Sequence, residues 1–128
     1  MKNRILVRLQ ISGELVPDQI TRSVGISPDS CWLKGDSVAS TALHRKTNGW
    51  QLNSGLGEAL AVKDQLVALF ARLRGVEDRI RKLSDQAEIL VSCVVYSDTQ
   101  PELFLDSNII RSIAGIGAAL DFDVYIRE

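Results

Sequence analysis

Two similar segments, one near each end of the chain, constrain the fold more than any other feature. Residues 20–26 (ITRSVGI) and 110–116 (IRSIAGI) each have the apolar spacing of a short amphipathic helix. Each segment contains a glycine, Gly25 or Gly115, and glycine most readily adopts the left-handed conformation that ends a helix. A strand-like stretch precedes each segment. The sequence therefore predicts two strand–helix units, a pattern that says much about architecture and little about chemistry.

The length and composition predict one globular domain spanning residues 1–128. Of the 128 residues, 45% are hydrophobic, which is enough apolar material for a single core. The 15 basic residues and 16 acidic residues leave a formal net charge of -1. A dedicated nucleic-acid-binding domain usually carries a basic excess, so we do not expect nucleic acid as a partner.

The sequence predicts a cytoplasmic protein with no membrane segment, metal or cofactor. Arg8 interrupts the short apolar run at residues 5–7, and no stretch approaches the roughly 18 apolar residues of a transmembrane helix. Cys31 and Cys93 lie in apolar, strand-like surroundings without other ligands at metal spacing. We expect both to be buried free thiols, and a disulfide between them is the alternative.

Hydrophobic periodicity predicts the order of the main elements. Alternation predicts strands at residues 4–11, 89–96 and 120–127, with shorter strands at 31–33 and 102–105. Helices are expected from Pro17 to Gly25, from Leu60 to Leu73 with Leu66 and Phe70 on the buried face, from Val76 to Leu83 after a break at Gly75, and from Asn108 to Gly115 behind an Asp106-Ser107 N-cap. Asn48-Gly49 predicts a tight hairpin that joins residues 43–46 to residues 50–53.

This succession of elements predicts an α+β fold. We expect a single two-layer domain in which the helices pack on one face of an antiparallel or mixed sheet. The two strand–helix units form a pseudo-repeat and suggest a ferredoxin-like topology, although one sequence does not determine the strand order.

Short motifs that match a known family are spread over essentially the whole chain. They are ISG at 11–13, Pro17, IT at 20–21, GI at 25–26, Pro28, KGD at 34–36, Trp50, Ser54 and the closing LDFDVY at 120–125. In these motifs the chain resembles the bacterial domain of unknown function family DUF4279. The resemblance implies a small single-domain bacterial protein with no established activity, and it transfers no catalytic residue.

The strongest candidate for a binding surface is the polar and aromatic stretch between the two tryptophans. Its residues are Trp32, Lys34, Asp36, His44, Arg45 and Trp50. Tryptophan beside charged groups combines a large contact area with directional polar contacts. The alternative is that both tryptophans cover the edge of the core while the charged residues are solvated.

Two other clusters have structural explanations that compete with functional ones. Asp121 and Asp123 alternate along the last strand and present two carboxylates on one side, which can bind a metal or share a proton. We favour charge pairing with Arg4 and Arg8, provided that the two terminal strands are neighbours. The basic residues Arg72, Arg74, Arg79, Arg81 and Lys82 are interleaved with acids, which is typical of a solvated helix face and is also compatible with a phosphate or an acidic protein surface.

Two hypotheses for the function follow. The first is a non-catalytic binding or protein-interaction module, of immunity or regulatory type, whose partner is another protein or a second copy of the chain. The second is a small hydrolase or isomerase centred on Asp36, His44 and Ser54. An enzyme requires those side chains to converge in a pocket, whereas a binding module requires an exposed patch.

Overall fold

The computed structural model describes residues 3–58 and 61–126. The strands are β1 (Arg4–Gly13), β2 (Ser30–Trp32), β3 (Asn48–Asn53), β4 (Ala87–Ser97) and β5 (Ala119–Ile126), and the helices are α1 (Pro17–Val24), α2 (Val62–Arg72), α3 (Glu77–Lys82) and α4 (Ser107–Gly115). A 3-10 turn at Leu83–Asp85 follows α3. The predicted helix start at Leu60 and strand end at Arg127 lie outside the described residues.

The five strands form one mixed sheet in the order β2-β3-β1-β4-β5. All neighbouring pairs are antiparallel except β4 and β5, which are parallel. Helix α2 packs on β1, α1 on β3 and α4 on β5, so the domain has a sheet layer and a helix layer. This confirms the predicted single α+β domain.

The core lies between the helices and one face of the sheet. Along β1 and β4 every second side chain is buried, and the intervening side chains, such as Arg8 and Ser92, are half-buried on the open face. The buried strand residues are Val7, Leu9, Ile11, Trp50, Leu52, Ile89, Val91, Cys93 and Val95. The helices add Ile20, Val24, Val62, Leu66, Leu69, Ile80, Ile109 and Ile113, and Leu73 is buried directly after α2. Phe70, predicted on the buried face of α2, is only half-buried.

The two strand–helix units differ in their pairing. In the first unit β3 lies between β1 and β2, which makes it a split β-α-β unit. In the second unit β4 and β5 are direct parallel neighbours. A ferredoxin-like domain is built from split units. The suggested ferredoxin-like topology therefore describes the first unit and not the second.

The helix ends also differ between the units. Gly25 has a φ of 87° and ends α1 as predicted. Asp106 caps α4 as predicted, since its Oδ1 accepts a hydrogen bond from the Ile109 N–H at 3.0 Å. The second cap is displaced, however, because Gly115 belongs to the helix and Gly117, with a φ of 74°, takes the left-handed conformation. The longer helix brings Ile116 into the core.

The Asn48-Gly49 pair lies inside β3, so the predicted hairpin position is wrong. The chain turns earlier, at residues 39–42, at the tip of a ribbon formed by residues 33–45. The N–H of Val38 donates to the Leu43 carbonyl at 2.9 Å, and Ala39 adopts a positive φ of 44°. Gly49 serves a different purpose, because a methyl group at this position would overlap the indole of Trp32.

Residues 102–105 do not pair with the sheet, contrary to the predicted short strand. Their alternation has another origin: Leu103 and Leu105 pack against the core while Phe104 points outward. Alternating burial of a loop on a core produces the same pattern as a strand.

The two cysteines are free, but they differ in exposure. Cys93 is buried in β4, whereas Cys31 in β2 is exposed, which corrects the expectation of two buried thiols. Strands β2 and β4 are separated by β3 and β1, which puts about 14 Å between the two strands. Cys31 is level with Ile89 rather than with Cys93, so the two cysteines are still farther apart, beyond the reach of a disulfide. Within the described ranges, no helix has the length and apolar character needed to cross a membrane.

Candidate binding surface

The ribbon of residues 33–45 is attached firmly at its base. The N–H of Gly35 donates to the Arg45 carbonyl at 2.8 Å, and the N–H of Arg45 donates to the Asp36 carbonyl at 2.8 Å. Buried Asn48 accepts from the Lys34 N–H at 2.8 Å and donates from its amide to the Glu14 carbonyl at 3.0 Å. One side chain thus joins the ribbon to the turn between β1 and α1.

Three residues form a stack on the open face of the sheet at this base. The register of β2 and β3 places Trp32 opposite Gly49, and the indole lies directly on the glycine backbone. The guanidinium carbon of Arg45 lies 3.9 Å from the centre of the Trp32 ring. A cation over an indole is attracted by the negative face of the ring, so the ring and the ribbon hold each other in place.

The ribbon carries two cations, Lys34 and Arg45, that form no ion pair with the described carboxylates. Among the described residues, neither Lys34 nor Arg45 has a carboxylate within 4.0 Å. The Asp36 carboxylate is fixed within the ribbon, because its Oδ2 accepts a hydrogen bond from the Leu33 N–H at 2.8 Å. His44 Nδ1 donates to the Gly35 carbonyl at 3.0 Å. The positive charges are therefore the groups left available to a partner.

Apolar groups complete this surface. Leu33 and Leu43 expose 49% and 67% of their area. A shallow groove of about 270 Å³ runs between Trp32 and the start of α1; Val16, Pro17, Asp18, Cys31, Trp32, Leu33 and Asp36 line it. We refer to Trp32, Leu33, Lys34, Asp36, Leu43, His44 and Arg45 as the ribbon surface.

Trp50, which the sequence placed with this group, lies on the other face of the sheet. It pairs with Cys31 one register position away from Trp32, and its side chain is completely buried. Its Nε1 donates to Thr21 Oγ1 at 3.0 Å, which fixes α1 over β3. Five of the six predicted residues thus share one surface, and Trp50 belongs to the core.

The geometry contradicts a catalytic site made of Asp36, His44 and Ser54. The ribbon adjoins the Asn48 end of β3, whereas Ser54 follows its other end, about 20 Å along the strand. Ser54 is buried, and its hydroxyl donates to Gln65 Oε1 at 3.1 Å. Gln65 Nε2 donates in turn to the Ile5 carbonyl at 2.7 Å, so this polar cluster ties α2 to β1.

The predicted pairing of Arg4 and Arg8 with Asp121 and Asp123 is also wrong, because β4 lies between the two terminal strands. Arg4 instead binds Glu58, with its Nε 2.8 Å from Oε2, and lies over the Tyr96 ring. This ion pair lowers the pKa of the Glu58 carboxyl. In the part of the chain that the structure describes, no three metal-ligating side chains come together.

The basic helix face is partly used inside the molecule. Arg72 Nη1 lies 2.9 Å from Asp29 Oδ2 and donates to the Asn53 carbonyl at 2.7 Å. Partial burial raises the pKa of Asp29, but hydrogen bonds from the Asn53 N–H and Arg72 outweigh it, so the pKa lies below its ordinary value. Arg81 contacts Asp78 at 3.5 Å. These pairs support the solvated, self-paired interpretation of this face.

Sequence reasoning missed Leu33, Leu43 and Asn48, each for a recognisable reason. The two leucines fit a strand pattern and gave no sign of exposure. Asn48 was assigned to a turn because Asn-Gly is the usual hairpin pair. The Lys34-Gly35-Asp36 turn beside Trp32 was the only available signal that this region presents a surface.

Comparison with known proteins gives a family and no activity. A family model described as a domain of unknown function, DUF4279, matches residues 3–127. No curated protein and no solved structure shows a significant match.

Proposed function

Because the chain belongs to the DUF4279 family, whose activity is unknown, we propose from its geometry that it is a binding module that contacts another protein through the ribbon surface. The observation that carries this proposal is the stack of Arg45 on Trp32 on Gly49. It holds a large aromatic ring and a cation in one orientation before any partner arrives. Binding then costs less side-chain entropy, which is the usual advantage of a preorganised surface.

The composition of the ribbon surface fits a protein partner better than a small molecule. Aromatic and arginine side chains are enriched at the centres of protein interfaces, where they supply most of the binding energy. Leu33 and Leu43 add exposed apolar area around them. The groove beside Trp32 is shallow and open, so it accommodates one protruding apolar side chain rather than an enclosed ligand.

The charges indicate the chemistry of the partner. Lys34 and Arg45 carry positive charge that no described carboxylate neutralises. We therefore expect the partner to place an acidic group against them and an apolar side chain in the groove. Such complementarity mainly speeds association and selects the partner.

The proposal places this interaction in the bacterial cytoplasm, where the module regulates the protein that it binds. Support for the compartment comes from the cysteines, which are free and lie on strands too far apart to be bridged. Proteins of oxidising compartments more often use their cysteines in disulfides.

A site-specific cross-linking experiment tests the proposal in cells that carry the gene. A photoreactive benzoylphenylalanine replaces Leu43 in one variant and Val67 on α2 in a matched control, since both positions are exposed and apolar. We expect a discrete protein adduct from position 43 and none from position 67. Absence of an adduct at position 43 would count against the ribbon surface.

Charge reversal shows whether the adduct depends on the ribbon. In the variant with Lys34→Glu and Arg45→Glu, the adduct at position 43 is expected to fall at least tenfold. Arg74→Glu with Lys82→Glu, exposed in the turn after α2 and at the end of α3, should leave it unchanged. Asp36 is not substituted, because its carboxylate accepts a hydrogen bond from the Leu33 N–H and a change there would disturb the ribbon itself. The opposite result would move the site to the helices.

A further inference from the structure

The outer edge of β5 is an uncovered sheet edge. Strand β5 spans eight residues and is the last strand in the sheet order, so within the described ranges it pairs with β4 on one side and with nothing on the other. The alternate backbone N–H and C=O groups on that outer side are available to another strand. The opposite edge, β2, has only three residues and adjoins the ribbon.

An apolar strip lies beside this edge on the helix side of the sheet. Leu120, Val124 and Ile126 share the face of β5 that points toward the helices, yet all three are exposed. Ile110 is exposed on the flank of α4 that is turned away from α2. Helix α4 therefore covers only part of β5, and the uncovered part is apolar.

The open-face side of the same strand is acidic. The register aligns Asp121 with Ser92 and Asp123 with Val94, so neither carboxylate has a charged neighbour on β4. Both are exposed, and among the described residues neither forms an ion pair. The free edge thus presents exposed apolar groups on one face of the sheet and, beside Tyr125, two carboxylates without a described ion-pair partner on the other.

Pairing of this edge with β5 of a second copy of the chain is electrostatically unfavourable. Directly opposed residues in an antiparallel pair lie on the same face. A symmetric antiparallel pair of β5 strands that uses most of the strand has its two-fold axis at Phe122 or at Asp123. With the axis at Phe122, Asp121 of one copy lies opposite Asp123 of the other. With the axis at Asp123, the two Asp123 residues lie opposite each other. Like charges in direct opposition destabilise strand pairing.

We propose that the β5 edge binds an extended segment of another protein in which lysine or arginine alternates with apolar residues. The segment adds a sixth strand to the sheet, with its basic side chains beside Asp121 and Asp123. Its apolar side chains cover Leu120 and Val124, and its backbone satisfies the free edge of β5. This site lies at the opposite edge of the sheet from the ribbon surface, so the two proposals are independent.

Peptides with a simple repeat test this proposal directly. The first probe is an eight-residue peptide of alternating lysine and valine. The second has glutamate in place of lysine, and the third has the composition of the first without its alternation. Binding to the isotopically labelled protein is followed by NMR. The alternating lysine peptide should shift the amide signals of β5 and slow their hydrogen exchange, with at least tenfold weaker binding of the other two.

A charge swap in the protein separates sequence-specific pairing from general attraction. In the variant with Asp121→Lys and Asp123→Lys, the preference should reverse, so that the glutamate peptide binds at least tenfold more tightly than the lysine peptide. Asp64→Lys with Asp85→Lys, at exposed helical positions, should keep the original preference. Lys34→Glu with Arg45→Glu should also keep it, which distinguishes this site from the ribbon surface.

Any of four outcomes would overturn the proposal. The first is absence of binding by the alternating lysine peptide, and the second is a set of shifted signals that lies away from β5. The third is an unchanged preference in the charge-swapped variant. Sedimentation of the unliganded protein as a dimer whose interface maps to β5 would assign the edge to a second copy instead.

Discussion

Trp32 and Trp50 occupy neighbouring strands and adjacent register positions, yet their environments are opposite. Trp50 is completely buried on the helix face and donates to Thr21, whereas Trp32 is half-buried on the open face under the Arg45 guanidinium. Because the side chains of a strand alternate between faces, one step in register decides whether an indole joins the core or the surface. The two tryptophans therefore separate the part of the domain that stabilises it from the part that we propose binds a partner.

Trp50→Ala is the change with the largest expected effect on stability. Truncating a fully buried tryptophan removes its contacts and leaves a cavity, which costs about 3–5 kcal/mol of unfolding free energy. Chemical denaturation monitored by circular dichroism measures this loss. A cost below about 1 kcal/mol, the range expected of exposed positions, would contradict the assignment of Trp50 to the core.

Leu66→Ala extends the comparison to the helix layer. Leu66 is fully buried in α2, so we expect a loss of about 2–5 kcal/mol. Lys63, exposed on the same helix, is the matched control, and Lys63→Ala should change the stability by no more than about 0.5 kcal/mol. Equal denaturation midpoints for the two variants would show that the helix faces are assigned incorrectly.

Gly49→Ala disturbs the surface tryptophan without altering the core tryptophan. The added methyl group would overlap the Trp32 indole, so the ring must move away from the strand and from Arg45. We expect a cost of about 1–3 kcal/mol, as for other overpacked sites. In NMR spectra the Trp32 indole signal should shift and the Trp50 signal should not. An unmoved Trp32 signal would contradict the stack.

The two cysteines repeat the contrast between buried and exposed sites. Burial raises the pKa of the Cys93 thiol to about 12 from its ordinary 9.0, and the nearby Asp121 charge adds to the shift. Above pH 9.0 the unfolded chain loses this proton while the folded chain keeps it, so the unfolding free energy falls as the pH rises toward 12, by at most about 1.4 kcal/mol per pH unit.

Denaturation of wild type and Cys93→Ala is compared over a range of pH. Other titrating groups contribute equally to both proteins, so the difference between them gives the contribution of the Cys93 thiol to the pH dependence of stability. The wild type should lose stability faster than the variant above pH 9.0. In the native protein a thiol reagent should label exposed Cys31 quickly and Cys93 only on unfolding. Rapid labelling of both residues would contradict the burial of Cys93.

Charge reversal at Lys34 and Arg45 should have only a small effect on stability, about 0.5–1 kcal/mol, because Arg45 loses its contact with the Trp32 ring while neither residue forms an ion pair with a described carboxylate. The comparison predicts that these residues matter for binding instead. A loss of several kcal/mol would mean that the ribbon supports the fold.

Periodicity and capping signals were sufficient to predict most of the fold. The strands at both ends, the central strand β4, the break at Gly75 and the Asp106 cap all follow from local patterns. Strand order does not, because it depends on contacts between residues far apart in the chain. The sequence analysis assumed that the first and last strands are adjacent in the sheet, and it therefore predicted an incorrect ion pairing for Arg4 and Asp121.

The candidate surface was harder to predict because its local signals compete with tertiary contacts. Asn-Gly usually makes a turn, but here Trp32 covers Gly49 and Asn48 anchors the ribbon, so both residues stay in β3. A sequence also does not reveal which face a tryptophan occupies when the strand register is unknown. For that reason Trp50 was grouped with the charged residues around Trp32.

The affinity of the purified partner for Trp32→Ala tests the central claim most directly. Once cross-linking at position 43 has identified the partner, isothermal titration compares wild type with this variant, whose fold is checked by circular dichroism. The account predicts at least tenfold weaker binding, or about 1.4 kcal/mol, with the fold retained. Unchanged affinity in a folded Trp32→Ala protein would contradict the role of the ribbon surface.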